Sequence, residues 1–151
     1  MSQEDKFPLD ALPTKGRLMG LDLGTKTIGV AISDGLQMTA TPNETIKRKK
    51  FGLDADRIIQ LIAENACVGV VIGLPLNMNG TEGPRAQSTR AFVRNLAQKI
   101  ELPIAFWDER LSTAAVTRTM IEADISRAKQ AKVVDKLAAS FILQGALNRR
   151  R

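Results

Sequence analysis

The stretch over residues 17–34, Arg-Leu-Met-Gly-Leu-Asp-Leu-Gly-Thr-Lys-Thr-Ile-Gly-Val-Ala-Ile-Ser-Asp, constrains the fold of this chain more than any other. Two short apolar runs, 18–23 and 27–33, flank Gly24-Thr25-Lys26 and read as a strand, a tight turn and a second strand. Asp22 lies inside the first run, where apolar residues surround a residue type with poor strand propensity. An ionised carboxylate buried in a strand is costly unless a cation or hydrogen-bond donors satisfy it. Asp22 therefore either caps the strand or faces a site that holds positive charge. Such breaks of a local rule gather at functional sites.

A chain of 151 residues suits one domain with a real core, and 44% hydrophobic with 25% charged residues is ordinary for a globular protein. Twenty-two Lys and Arg against sixteen Asp and Glu give a formal charge of +6 and a pI near 9.8. That balance favours a polyanionic partner, nucleic acid before a membrane surface, with scattered surface lysines as the plain alternative. The chain has no histidine and no tyrosine. This excludes Ser-His-Asp and Cys-His machinery, His-ligated zinc and a tyrosine nucleophile. Acid–base chemistry is left to carboxylates, lysine or water on a metal. The lone Cys67 lies in an apolar region, reads as an inert core residue and fits a reducing compartment. No apolar run reaches the length of a membrane span, and the start Met-Ser-Gln-Glu-Asp-Lys lacks a signal peptide's apolar core, so the expected location is cytoplasmic.

Residues 1–16 carry Pro8, Pro13 and Gly16 without periodicity and read as a flexible leader to a domain over 17–148, with 149–151 as a basic tail. A third strand is expected over 37–46, with Pro42 placing it at an edge or ending it. The basic run Lys47-Arg48-Lys49-Lys50 is either a solvated loop or a phosphate contact. Helical spacing of Ile58, Leu61 and Ile62 predicts a helix over 53–65, and the apolar run 68–73 reads as a strand buried on both faces. A loop dense in turn residues, 74–84, leads through Pro84 to a helix over 85–100. Arg90 and Arg94 fall together on that helix, where they either touch a phosphate backbone or form a solvated face. A strand over 103–107, a helix from Ser112 to about residue 123 and a helix over 128–148 complete an α/β sandwich on a mixed sheet.

Two further carboxylate positions stand out. Asp135 has Ala131, Ala138, Ala139 and Ile142 as helical neighbours and so lies on or beside the buried stripe, either within a site or paired with a basic residue. Asp108 and Glu109 end a strand and should point to opposite faces, so only one joins Asp22 unless the chain bends. Carboxylates at strand ends and on a helix, with no histidine, suit a hard oxygen-ligated cation, Mg²⁺ or Mn²⁺. Two such ions can activate water and stabilise the leaving oxygen of a phosphodiester, while a basic surface holds the substrate.

Four blocks, beginning at Gly20 (Gly-Leu-Asp-Leu-Gly-Thr-Lys-Thr-Ile-Gly-Val-Ala-Ile-Ser-Asp), Val71 (Val-Ile-Gly-Leu-Pro-Leu-Asn-Met-Asn-Gly-Thr-Glu), Asp108 (Asp-Glu-Arg-Leu-Ser-Thr) and Val134 (Val-Asp-Lys-Leu-Ala-Ala), resemble the YqgF (RuvX) family in order and content. That family is described as pre-16S rRNA nucleases and, earlier, as Holliday junction resolvases. The resemblance covers nearly everything from residue 17 to about 147. It implies an RNase H-like α/β fold, a five-stranded mixed sheet flanked by helices with the first three strands antiparallel. It also implies Glu109, beside Asp22 and Asp135, as the metal-binding and catalytic acid of its block, and a loop over 73–80 near the cleft. Where the family often carries a glutamate after Leu-Ser-Thr, this chain has Ala115, so Ser112 lacks the acid of a capping box.

The reading that follows is a divalent-metal-dependent endonuclease maturing the 5′ end of pre-16S rRNA. Lys26 is expected at a phosphate, and Arg110 either there or neutralising the carboxylates. Its rival is the resolution of four-way DNA, which needs a two-fold dimer; the expected state is a monomer or weak dimer. Two further alternatives are a nucleic-acid-binding module without catalysis, acting with a ribosomal or transcription partner, and a phosphoryl-transfer enzyme of the actin-like ATPase fold. The last needs two related domains, for which 151 residues leave no room.

Overall fold

The computed structural model describes residues 7–111 and 127–150, and within 127–136 the helical backbone alone. Strands β1 (Arg17–Leu23), β2 (Thr27–Ser33), β3 (Ala40–Lys47), β4 (Cys67–Leu74) and β5 (Ile104–Asp108) form one sheet in the order β3-β2-β1-β4-β5. The first three run antiparallel, and β4 and β5 continue parallel to β1. This is the mixed five-stranded sheet that the resemblance implies. Helices α1 (Phe51–Asn65), α2 (Pro84–Ala97) and α3 (Arg127–Arg150) cover it. The helix expected from Ser112 lies outside the described residues.

Strand alternation sorts the core into two layers. Met19, Leu21 and Leu23 of β1 join Ile58 and Leu61 of α1 and Phe92, Val93 and Leu96 of α2 on one face. Leu18 joins Val71, Ala105, Trp107 and the α3 residues Ile142, Leu143 and Leu147 on the other. Because both faces are covered, β4 is apolar throughout rather than alternating. Gly20 lets α3 approach closely, since a Cβ there would stand 2.7 Å from the Cβ of Leu143. The strand over Pro42 is an edge strand, and its pairing with β2 shifts register between Val30 and Ala31, opposite the proline.

The expectation of a loose leader does not hold for residues 7–16. The Phe7 ring meets Phe106 edge-on at 5.4 Å, and its carbonyl accepts the Phe106 N–H at 3.1 Å, which covers the open edge of β5. Leu12 is buried. The basic tail is also part of the fold, because α3 runs on through Arg149 and Arg150. The Arg150 guanidinium donates to Gln37 Oε1 (2.8 Å) and to the carbonyls of Leu12 (2.8 Å) and Pro13 (3.0 Å). Among the described residues, no helix is long and apolar enough to cross a membrane.

Candidate active site

Asp22 sits near the carboxyl end of β1, 1% exposed. Gly20, two residues earlier, abuts Leu143 and the Ala139 carbonyl of α3, so Asp22 faces α3 as well. Its in-register neighbour on β2 is Gly29. On β4, Ile72 pairs with Leu21, which puts Gly73 beside Asp22. Asp22 is thus flanked on both sides by glycines, which lets other side chains approach it closely.

Glu109 reaches the same space from β5. The strand ends at Asp108 and the chain turns at once into a 3-10 turn, Glu109–Leu111. The register answers the question of opposite faces: Trp107 pairs with Gly73, beside Asp22, so alternation along β5 sends Asp108 to the other face and Glu109 to the face of Asp22. Glu109 is buried, and its Cγ would lie 3.1 Å from a Cβ at Gly73, where the α3 residue Ile142 also packs. Asp108 instead accepts the Arg110 guanidinium (2.7 Å) and the Arg110 backbone N–H (3.0 Å). Burial works against the Asp108 charge, but the side-chain and backbone bonds from Arg110 outweigh it and hold the carboxyl below its ordinary value.

Asp135 lies on α3, its side chain outside the described residues. Gln144 of α3 pairs with Ala40 and Met38 at the foot of the sheet while Ala139 stands over Gly20, so α3 runs antiparallel to β1. One turn toward its N-terminus, about 6 Å along the axis, the backbone of Asp135 is level with Asp22, which lies about 6.6 Å beyond Gly20 along the strand. No group of three potential metal-ligating side chains occurs among the described residues. Cys67 lies at the other end of the sheet, opposite Arg17, and burial pushes its thiol up to about 11.

The four basic residues expected to meet nucleic acid occupy different environments. Lys26 is exposed at the β1–β2 turn, just beyond Asp22, and Arg94 is exposed on α2. Arg90 is turned inward instead. It is 7% exposed, donates to Glu82 at 2.7 Å, and lies 5.1 Å from the Phe106 ring centroid. Its position, one turn from Arg94, gives no sign of this, because Glu82 precedes the helix. A buried, acid-paired guanidinium anchors α2 to the sheet and is not placed to meet a backbone phosphate. Arg110 neutralises Asp108 and also donates to the Met78 carbonyl at 3.1 Å. It thereby fastens the loop 75–83 beside the carboxylates. That loop closes on itself through Asn77 N–H to Thr81 O (2.9 Å) and Gly80 N–H to Asn77 O (2.8 Å).

Two further cationic residues lie at the end of β1: Arg48, from the basic run 47–50, and Arg85, singled out neither by motif nor by helical spacing. Arg48 donates to the Gly24 carbonyl (2.7 Å) and Arg85 to the Leu23 carbonyl (3.1 Å), both at the end of β1. The available signal was Arg85 in the first turn of a helix, where the dipole favours acids.

The profile of the RuvX family, described as Holliday junction resolvase, matches residues 16–149. The chain belongs to the RuvX family. A relative from Cereibacter sphaeroides named "Putative pre-16S rRNA nuclease" is 62% identical over 141 residues, covering 93% of this chain and 88% of its own. One of the same name from Rhodopseudomonas palustris is 65% identical over 137 residues, covering 91% and 86%. Among solved structures, RuvC of Thermus thermophilus in complex with Holliday junction substrate superposes with a TM-score of 0.55 at 14% identity, covering 89% of this chain and 94% of that one. At that identity the likeness is one of fold, and it places the RuvX chain in the RNase H-like class.

Proposed function

We propose that this RuvX chain is a divalent-metal-dependent endonuclease that hydrolyses phosphodiester bonds in pre-16S rRNA at its 5′ end, with Asp22, Glu109 and Asp135 as the metal-holding carboxylates. The observation that carries the reading is the approach of Asp22 and Glu109, both at least nine-tenths buried, to the glycine Gly73 from different strands. Two buried carboxylates facing one space repel each other unless a cation lies between them. The donor set fits a hard cation: it is all oxygen, with no imidazole anywhere in the chain and the one thiol far away and protonated. Mg²⁺ and Mn²⁺ are the candidates, and such an ion supplies charge neutralisation and a lowered pKa for water.

The chain's own residues divide the remaining work. Glu109 is held by the 3-10 turn and Asp22 by the strand ladder, so neither needs to reorganise to receive a ligand. Lys26, exposed beyond Asp22, is placed to take a phosphate of the substrate strand. Arg110 keeps Asp108 charged and paired, and so away from the space that Glu109 enters.

The test is cleavage of end-labelled RNA spanning the immature 5′ end of 16S rRNA, with a four-way DNA junction alongside, each with Mn²⁺, Mg²⁺ or chelator. Metal-dependent cutting of the RNA is expected. Symmetric cutting of the junction alone would favour the second reading, which the family description supports and which requires a two-fold dimer. Tight metal-independent binding without cutting of either would overturn both.

A further inference from the structure

A groove of about 430 Å³ opens at the carboxyl end of β1, on the side of the sheet opposite α3, lined by Thr25, Arg48, Lys49, Arg85 and Ser88. We propose that this groove is a binding site for a backbone phosphate of the nucleic-acid strand, next to the scissile one. The proposal rests on the nuclease reading above for the word scissile, and on the groove itself for the phosphate.

Three features point to an anion. The cations are preorganised: Arg48 is held between the Gly24 carbonyl and the face of Phe92, 5.7 Å from the ring centroid, and Arg85 by the Leu23 carbonyl. Each guanidinium carries five N–H donors and spends one of them on these bonds, which leaves a fork suited to a phosphate. None of the ion pairs among the described residues takes Arg48, Lys49 or Arg85. The carboxylates near them in sequence are engaged: Glu44 pairs with Arg57, Glu82 with Arg90, and Asp54 is buried and accepts the Lys49 backbone N–H at 3.0 Å at the start of α1. Finally, the groove lies at the N-terminus of α2, whose first turn carries Arg85 and no acid. Positive side chains on the positive end of a helix dipole repel it, and a bound anion relieves both.

The location decides which anion. Thr25 follows Asp22 by three residues, a span of at most about 11 Å along the chain. The groove and the carboxylates therefore open on the same rim of β1 from opposite faces, and Lys26 is exposed in the turn at that rim. A strand laid across this rim puts one phosphate toward Asp22 and a neighbouring one into the groove.

The experiment measures binding of a fluorescein-labelled single-stranded RNA of about 12 nucleotides, by anisotropy in chelator, to full-length protein carrying Asp22→Asn to prevent cutting. Lys49→Glu, Arg85→Gln and Ser88→Glu are compared with Lys99→Glu, an exposed site outside the groove with the same charge change as Lys49→Glu. Ser88→Glu puts a negative charge into the groove while removing no contact that holds the fold, which keeps the test valid if Arg85→Gln unfolds. The groove variants should weaken binding about tenfold and flatten the salt dependence by about 0.7 per lost phosphate contact, with Lys99→Glu within about twofold. Equal effects at Lys49 and Lys99, or none, would overturn the proposal. Titration with inorganic phosphate and with AMP distinguishes a free anion as ligand. Groove variants that lose phosphate binding yet keep RNA affinity would overturn the strand assignment. The two readings fail separately: a wild type inert on RNA but with groove-dependent binding would sink the nuclease and keep the groove.

Discussion

Gly73 is the residue on which the two carboxylates meet. A Cβ there would stand 2.5 Å from Ile142 Cδ1 and 3.1 Å from Glu109 Cγ. The isoleucine tip can rotate away, whereas the Glu109 side chain is held by the turn that carries it. Gly73→Ala should therefore cost about 1–3 kcal/mol of stability as overpacking, read by denaturant unfolding, and reduce cleavage by more than that loss explains. Adding Ile142→Val should restore stability but not activity. At this scale Asp22 was legible from the sequence, because a carboxylate inside an apolar strand violates a local rule. Glu109 was not legible from spacing alone, since alternation separates Asp108 from Glu109 without saying which of them shares the face of Asp22; the register, which sets Trp107 beside Gly73 and so beside Asp22, decides for Glu109. Arg90 was misleading for a similar reason: its acid partner Glu82 belongs to a loop, and helical periodicity carries no information about loops.

Between elements, Arg110 links the end of β5 to the loop 75–83. Its guanidinium bridges the Asp108 carboxylate and the Met78 carbonyl and lies against Gly80, whose φ of +87° favours glycine. Arg110→Ala should speed hydrogen exchange at the Gly80 amide while leaving the β1 amides unchanged. The acid response follows from the same pair. Asp108 is held below its ordinary value of 3.8, so its contribution is present above that pH and is lost as pH falls through the lowered folded value. The stability difference between wild type and Asp108→Asn should be largest near neutral pH and vanish in strong acid. Thermal unfolding from pH 7 down to about 2 checks this; a constant difference would show that the Arg110 pair carries no linkage. The strands and the three described helices were legible from periodicity and turn chemistry. The latch was not, since Met78 and Arg110 are far apart in sequence.

Across the whole molecule, the segment before β1 and the end of α3 close the fold. Arg150 ties α3 to the segment before β1 and to Gln37, which in turn donates to the Pro13 and Gly16 carbonyls. Arg150→Ala should cost about 1–3 kcal/mol and lower Tm, with no change in cleavage rate below the transition. The succession of strands along the chain and the antiparallel run of the first three followed from the sequence and the resemblance; the spatial order β3-β2-β1-β4-β5 came from the structure. The docking of residues 7–16 did not, because irregular segments held by single aromatic and carbonyl contacts leave no period to read.

The claim that Asp22 and Glu109 form the reaction centre is tested most directly by single-turnover cleavage of bound RNA. Wild type, Asp22→Asn and Glu109→Gln are compared at saturating protein, with binding measured in parallel. The account predicts intact RNA binding and a loss of more than about 100-fold in cleavage rate for each variant, beyond what a merely supporting residue gives. Cleavage within a few-fold of wild type in either variant, with RNA still bound, would contradict it.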